Sequence, residues 1–538
     1  MTALRALTRH ALLGFARNPV AAFFTIGFPV AFLIIVASIV GDQDAGRVPV
    51  AQYLVPPFAV FGVAQASFVL LAVDTAGMRD SGVLQRLRAA PVPPWIVLGS
   101  RIAASTVISA GGVALLTAVG VLGYDVVIVW HKTPALLVTL LLGIACCAAL
   151  GLALAALART VLIAQTLAQG LLITLAFISD VFIVGADLPR WLDVIGSVLP
   201  LKHFARAMAE AFHPGTGSGF SPTHLAVLAV WTAAGIVVAR AGFSWQPRSA
   251  RAAITAGTTP PVPAQLSAPT AADRRSPLGV QIGYALLGLR REMMAVFSSV
   301  VFPALLLALF PTVFGDQPVH GLPMAQYLYA GMIAYTAAVA AFVDMPESVV
   351  GARAAGVLKR LRGTPLPFRW YFAGRVSAAL LVSLLAAAVL TVVGAGFLDV
   401  RLDAARLPAL LLAVVAGSLC FAALGLAVAA LLPSARSVVP VTLGTLLPLC
   451  FISEIFVVGN VPLPGWLTTV ANVFPLRHLL QAVLAATDPA VSGAGFAVAH
   501  LAVLAVWTAL ALAVIRWRGL STDGGATQLV VREPAKAT

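Results

Sequence analysis

Two short basic segments hold the residues of this 538-residue chain whose spacing best suits a mechanical or docking task. In the first, Val83, Leu84 and Leu87 fall on one face of a helix with Arg86 and Arg88 beside it, and Pro91, Pro93 and Pro94 stop the helix. The second repeats the pattern with Val357, Leu358 and Leu361, flanked by Arg360 and Arg362 and followed by Pro365 and Pro367. A basic amphipathic helix can lie on anionic lipid. It can equally be a docking knob for a soluble motor subunit. The second reading is preferred, because the segment recurs at an equivalent place with nearly the same residues, whereas lipid would accept any basic helix.

Asp180 and Glu454 form another matched pair, near the outer ends of two apolar stretches. Acids at membrane depth are costly, which makes them candidates for an outer gate or substrate pathway; the rival reading is a solvated helix end. Asp74 and Asp344 are not at matching positions and carry no assignment. His203 and His478 do match, and read as polar interface residues exposed on an outer loop rather than as a proton relay. Cys146, Cys147, Cys420 and Cys450 lie within apolar stretches and read as small buried hydrophobes. There is no metal-ligand cluster and no nucleophile-base arrangement. A phosphate-cradling loop needs Gly-Lys before Ser or Thr, and none of Lys132, Lys202, Lys359 and Lys536 follows a glycine. The chain therefore carries no such ATP site and no cofactor of its own.

The elements that position these residues follow from composition. Hydrophobic residues make up 60% of the chain and charged residues 10%, against about 25% charged in a soluble domain, so water is not the main solvent. Twelve apolar stretches have the length of a transmembrane helix. They lie near 20–40, 52–74, 96–122, 134–158, 161–182 and 223–242, then near 294–314, 326–348, 370–397, 407–432, 436–457 and 499–517. With the amino terminus inside, 26 of the 34 Lys and Arg fall in cytoplasmic segments, which places both termini in the cytoplasm. The net charge of +14 is thus topological, and anionic inner-leaflet lipid is the expected partner rather than nucleic acid.

The two halves repeat. Ala51-Gln52-Tyr53-Leu54 answers Ala325-Gln326-Tyr327-Leu328, and Gly82-Val83-Leu84 answers Gly356-Val357-Leu358, each pair 274 residues apart (356 − 82). The apolar run at 20–40 has an internal counterpart at 294–314, so it reads as a span and not a cleaved leader. The expected organisation is a six-helix unit over 1–243, a flexible cytoplasmic linker over 244–277, a second unit over 278–518 and a cytoplasmic tail over 519–538. The fold class is an all-α integral membrane protein, with both units the same way round.

Three blocks resemble a known family. They are Gly-Val-Leu-x-Arg-Leu-Arg-x-x-Pro at 82–91 and 356–365, Phe-Ile-Ser-x-x-Phe at 177–182 and 451–456, and Pro-Leu-x-His at 200–203 and 475–478. Together they are similar to permeases of type-2 ATP-binding-cassette exporters, in particular the daunorubicin and polyketide multidrug-efflux class. The resemblance implies six spans per unit, a surface helix at residues 2–17, coupling helices at 79–90 and 353–364, and a re-entrant outer hairpin before each sixth span. It also implies two cytoplasmic ABC ATPase subunits holding ATP and Mg, and a hydrophobic or amphipathic small-molecule substrate. The chain departs from the family in fusing two units and in placing acids at 180 and 454, where members often have glycine.

Two parallel six-helix halves also fit a proton-coupled secondary transporter, which would need coupling acids deep in the helices and no docking knobs. A membrane scaffold that moves nothing, and lipid or polysaccharide export by the same fold, are the other readings.

Overall fold

The computed structural model describes residues 2–40, 48–89, 92–182, 189–245, 279–283, 287, 296–315, 318–354, 356–363, 367–432, 435–456, 464–491 and 493–518. The tail 519–538 and the linker beyond residue 245 lie outside the described residues, as do Pro91 and Pro365.

Apolar segments with no water to satisfy their backbone must close their hydrogen bonds internally, and among the described residues the chain is helical, without strands. The first half comprises α1 (Thr2–Ala16), α2 (Phe23–Ala37), α3 (Val50–Asp80), α4 (Val83–Ala89), α5 (Trp95–Tyr124), α6 (Trp130–Leu157), α7 (Val161–Ile178), α8 (Arg190–Val198), α9 (Pro200–Phe212) and α10 (Pro222–Gly242). The second comprises α11 (Phe297–Thr312), α12 (Met324–Arg353), α13 (Val357–Arg362), α14 (Arg369–Phe397), α15 (Ala404–Leu431), α16 (Val441–Ile452), α17 (Gly465–Val473), α18 (Pro475–Thr487) and α19 (Val498–Arg518). Among the described residues nine helices, α3, α5, α6, α7, α10, α12, α14, α15 and α19, are long and apolar enough to cross a bilayer. The apolar α2, α11 and α16 are shorter.

Helices α3 and α12 are almost wholly buried and form the centre of each half, while α10 and α19 lean on the outside with most of their surface free. Small residues set how closely they approach: a Cβ on Gly235 of α10 would meet the backbone of Ala149 on α6 at 3.0 Å. Both central helices contain a π-helical turn, over Gln65–Leu70 and Val339–Asp344, and the first apolar helices open with another, over Phe23–Gly27 and Phe297–Val301. The widened turn pushes carbonyls outward. Glycines receive them: Gly151 faces the Phe68 carbonyl, where a Cβ would lie at 2.6 Å, and Gly425 faces the Ala341 carbonyl at 3.0 Å.

The halves meet along an aromatic seam. Phe32 of α2 packs edge-on against Phe451 of α16 with ring centres 4.5 Å apart. Reciprocally, Phe177 of α7 packs on Phe302 and Phe310 of α11 at 6.1 and 5.9 Å. Helices α2 and α11 thus each lie against the helix that precedes the Phe-Ile-Ser block's turn in the other half.

Candidate functional site

The expected docking segments are the short helices α4 and α13. Each is entered through a glycine in the left-handed region, Gly82 and Gly356, both at φ +72°. Any side chain there would be strained, so the tight turn out of α3 and α12 depends on glycine. Leu84 and Leu358 are buried, Val83, Leu87, Val357 and Leu361 half-buried, and Arg86, Arg88, Lys359 and Arg360 exposed. Arg362 closes α13. The leucine is the anchor, and the cations project from the protein at two matching places.

Immediately before α4, Arg79 and Asp80 tie it to the bundle. The buried Arg79 donates from Nη1 to the Ala155 carbonyl in the last turn of α6 at 2.8 Å and from Nε to Asp80 Oδ1 at 3.1 Å. Asp80 Oδ2 accepts from the Val161 N–H, the first of α7, at 3.0 Å. A cation at a helix carboxyl end and a carboxylate at a helix amino end both complement the helix dipole. These bonds put the start of α7 at the same end of the molecule as α4. In the second half Arg353 reaches the Ala429 and Leu432 carbonyls, each at 3.5 Å, and the residue after it is Ala354.

Asp180 and Glu454 sit at the opposite ends of α7 and α16. The expected spans 161–182 and 436–457 stop earlier as helices, at Ile178 and Ile452. The cause is local: Asp180 and Glu454 take left-handed backbone, φ +58° and +63°, ending the helix. Asp180 pairs with Arg206 at 3.0 Å, and Glu454 pairs with Arg477 at 3.0 Å and with His320 at 3.4 Å. The surroundings differ. Asp180 and Arg206 are 24% and 48% exposed, whereas Glu454 and Arg477 are 15% each, so the second pair is the better shielded. Lys202, at the place corresponding to Arg477, instead holds Asp193 at 2.5 Å. The Lys202 hydrogen bond keeps the Asp193 carboxyl below its ordinary range.

The helices α8 and α9 that follow Asp180 are pinned by groups whose role sequence reasoning missed. Buried Gln52 donates from Nε2 to the Phe212 carbonyl at 2.6 Å and to the Val127 carbonyl at 3.1 Å, and its Oε1 accepts from the Val127 N–H at 2.8 Å. Gln326 repeats all three, with Thr487 and Arg401, at 2.7, 3.0 and 2.9 Å. Lys132 adds a bond to the His213 carbonyl at 2.8 Å, and Arg406 bonds the Asp488 and Val491 carbonyls. The available signal was the recurrence of a glutamine in each Ala-Gln-Tyr-Leu block of an otherwise apolar helix.

His203 and His478 are not the exposed loop residues expected. His203 is buried, with Nε2 on the Ser197 carbonyl and Nδ1 2.8 Å from His224 Nδ1; His478 is half-buried and meets Asn472 and His500 in the same way. They became interior because α9 and α18 turn back against α10 and α19, which no local pattern announces. Asp74 pairs with Arg101 at 3.5 Å, and Asp344 accepts from Ser299 at 2.6 Å. The four cysteines are buried and unbridged, as small hydrophobes.

Among the described residues, a helical bundle with nine helices long and apolar enough to cross a bilayer, and two short amphipathic helices, defines a multi-pass membrane protein. Residues 2–213 and again 283–487 match the model of the family described as ABC-2 type transporter, so the chain belongs to that family. It is therefore a transporter permease, of a family that generally works with an ABC ATPase. Among curated proteins nothing matches.

Proposed function

We propose that this chain is the transmembrane subunit of an exporter of the drug-efflux class, moving hydrophobic or amphipathic compounds out of the cell. Its twelve spans form two parallel six-helix units, in which α2, α11 and α16 supply the three spans beyond the nine long ones. Both termini are cytoplasmic, in the cell membrane, with α1 lying on anionic inner-leaflet lipid. Two copies of a cytoplasmic ABC ATPase, which carry the ATP and Mg, dock on α4 and α13. Closure of the motor pair pushes both short helices and parts the aromatic seam. The re-entrant hairpins α8–α9 and α17–α18, with Asp180 and Glu454 beside them, form the outer gate.

The observation that carries this reading is the matched pair of leucine-anchored helices presenting Arg86, Arg88, Lys359 and Arg360. Such a surface recognises acidic grooves on a partner. In Arg86→Glu with Arg360→Glu, the co-expressed ATPase should be lost from purified membranes, because like charges then face each other. Undiminished co-purification would refute docking at these helices.

A further inference from the structure

The Arg79–Asp80 dipeptide does something that docking alone does not require. It straddles the turn between α6 and α7, gripping the carboxyl end of one through Ala155 and the amino end of the other through Val161. Thr160 completes the turn by capping the Ile163 N–H at 3.3 Å. Ala76, Ala158 and Ala164 pack beneath it as a small apolar cluster with Val161 and Ile163. One residue, Ser81, and the left-handed Gly82 then lead into α4, while Ser81 Oγ closes α3 on the Gly77 carbonyl at 2.7 Å. Helix α4 is thus joined through two consecutive charged side chains to three spans, α3, α6 and α7.

In the second half alanine stands where Asp80 would be, so the carboxylate part of this joint is missing from the sequence. Among the described residues its arginine makes two contacts of 3.5 Å to carbonyls where Arg79 makes one of 2.8 Å. Position 354 thus offers no carboxylate to the start of the following span.

We infer that Arg79 and Asp80 are positioning residues that make α4 and the α6–α7 turn one rigid body, so that the two docking helices are mechanically unequal: a push on α4 reaches two further spans directly, while a push on α13 is transmitted more loosely. The inference rests on the docking reading for its purpose, though the stiffness itself is a property of this chain alone.

The test uses the full chain in lipid nanodiscs, with spin labels on cysteines introduced at exposed positions. The native cysteines are buried, so labelling is selective. Labels at Gln85 and Leu157 report across the first joint, and labels at Lys359 and Leu431 report across the corresponding place in the second half. The first pair should give a narrow distance distribution and the second a broad one. Asp80→Asn should broaden the first roughly two-fold, since an amide has one acceptor oxygen where the carboxylate uses both, for Arg79 and for Val161, and carries no charge for the helix dipole, while Asp80→Glu restores it in part. Ala354→Asp should narrow the second, a gain that misfolding cannot mimic. Equal widths in the two halves, or an Asp80→Asn distribution as narrow as the parent's, would overturn the inference. Because these measurements need no ATPase, that failure is separate from a failure of docking. With the ATPase bound and trapped by vanadate, Asp80→Asn should keep the partner's affinity but lose the joint displacement of the first label pair; displacement equal to the parent's would also overturn it.

Discussion

Gln52 and Phe212 lie 160 residues apart, yet the Gln52 amide donates to the Phe212 carbonyl at 2.6 Å, satisfying a helix end that has no partner of its own. The same side chain exchanges two bonds with Val127, so one glutamine holds the end of α9, the α5–α6 connection and the start of α3 together. Gln52→Leu keeps the volume but strips partners from three backbone groups, the buried Phe212 carbonyl and the part-buried N–H and carbonyl of Val127. The buried Phe212 carbonyl left unpaired costs about 1–3 kcal/mol and the part-buried Val127 groups less, so the thermal midpoint in detergent should fall. Gln52→Glu keeps an acceptor for the Val127 N–H but loses both donated bonds, and should be destabilised as well. A midpoint equal to the parent's in Gln52→Leu would contradict this role.

The π-turn of α3 gives a second prediction through Gly151. A methyl group there would meet the Phe68 carbonyl at 2.6 Å and the Ser67 carbonyl at 3.0 Å, both backbone atoms that cannot rotate away. Gly151→Ala should therefore destabilise by about 1–3 kcal/mol, the usual cost of overpacking. Gly111→Ala, on exposed helix surface with nothing within 4 Å, should be neutral or stabilising by about 0.5–1 kcal/mol from helix propensity. Thermal melts of the two variants side by side should therefore move in opposite senses; a shared direction would mean that α3 and α6 do not approach as described.

Much of this architecture was legible because lipid imposes simple rules. Long apolar runs had to be helices, and the amphipathic placement of Leu84 and Leu358 under exposed arginines followed from helical spacing alone. The three-block resemblance pointed to type-2 ATP-binding-cassette permeases, and at that level the ABC-2 type transporter match over both halves bears it out. What could not be read was anything decided by return contacts. The Gln52 bonds, the His203–His224 pair and the Arg79 grip on Ala155 each join residues 21 to 160 positions apart, where no periodicity speaks. The end of α7 at Ile178 was missed for a different reason. Apolar Val181 and Phe182 continue the hydrophobic run, and only the backbone at Asp180 reveals that the chain has already turned.

Asp193 supplies a prediction in pH. Its carboxyl is held below the ordinary value of 3.8 first by the hydrogen bond from Lys202 and then by that ammonium's charge, with Arg206 at 3.7 Å adding to it. A depressed carboxylate contributes stability above its unfolded pKa, and that contribution is lost as pH falls through the lowered folded value. The parent's thermal midpoint should therefore drop below about pH 4 by more than that of Asp193→Asn, which has no proton to gain there. At neutral pH the variant should be the less stable of the two, by a small amount, because the aspartate is half exposed and solvent screens the pair. Parallel pH profiles for the two proteins would count against the Lys202 contact.

At Asp180 two substitutions separate backbone strain from charge. Left-handed backbone costs an ordinary residue roughly 1–2 kcal/mol, a cost glycine does not bear. Both Asp180→Ala and Asp180→Gly lose the Arg206 ion pair, which is exposed enough to contribute at most about 1 kcal/mol. The alanine keeps the strain at φ +58°, and the glycine removes it, so Asp180→Gly should be the more stable by about 1 kcal/mol and close to the parent. At Glu454 the balance tilts the other way. Its pair with Arg477 is better shielded and His320 approaches as well, so Glu454→Gly leaves a half-buried arginine without its carboxylate and should fall below the parent despite the relief of strain at φ +63°. Thermal midpoints of the three variants decide the point, since equal behaviour of the two glycine substitutions would mean that the shielding difference between the acids has no energetic weight.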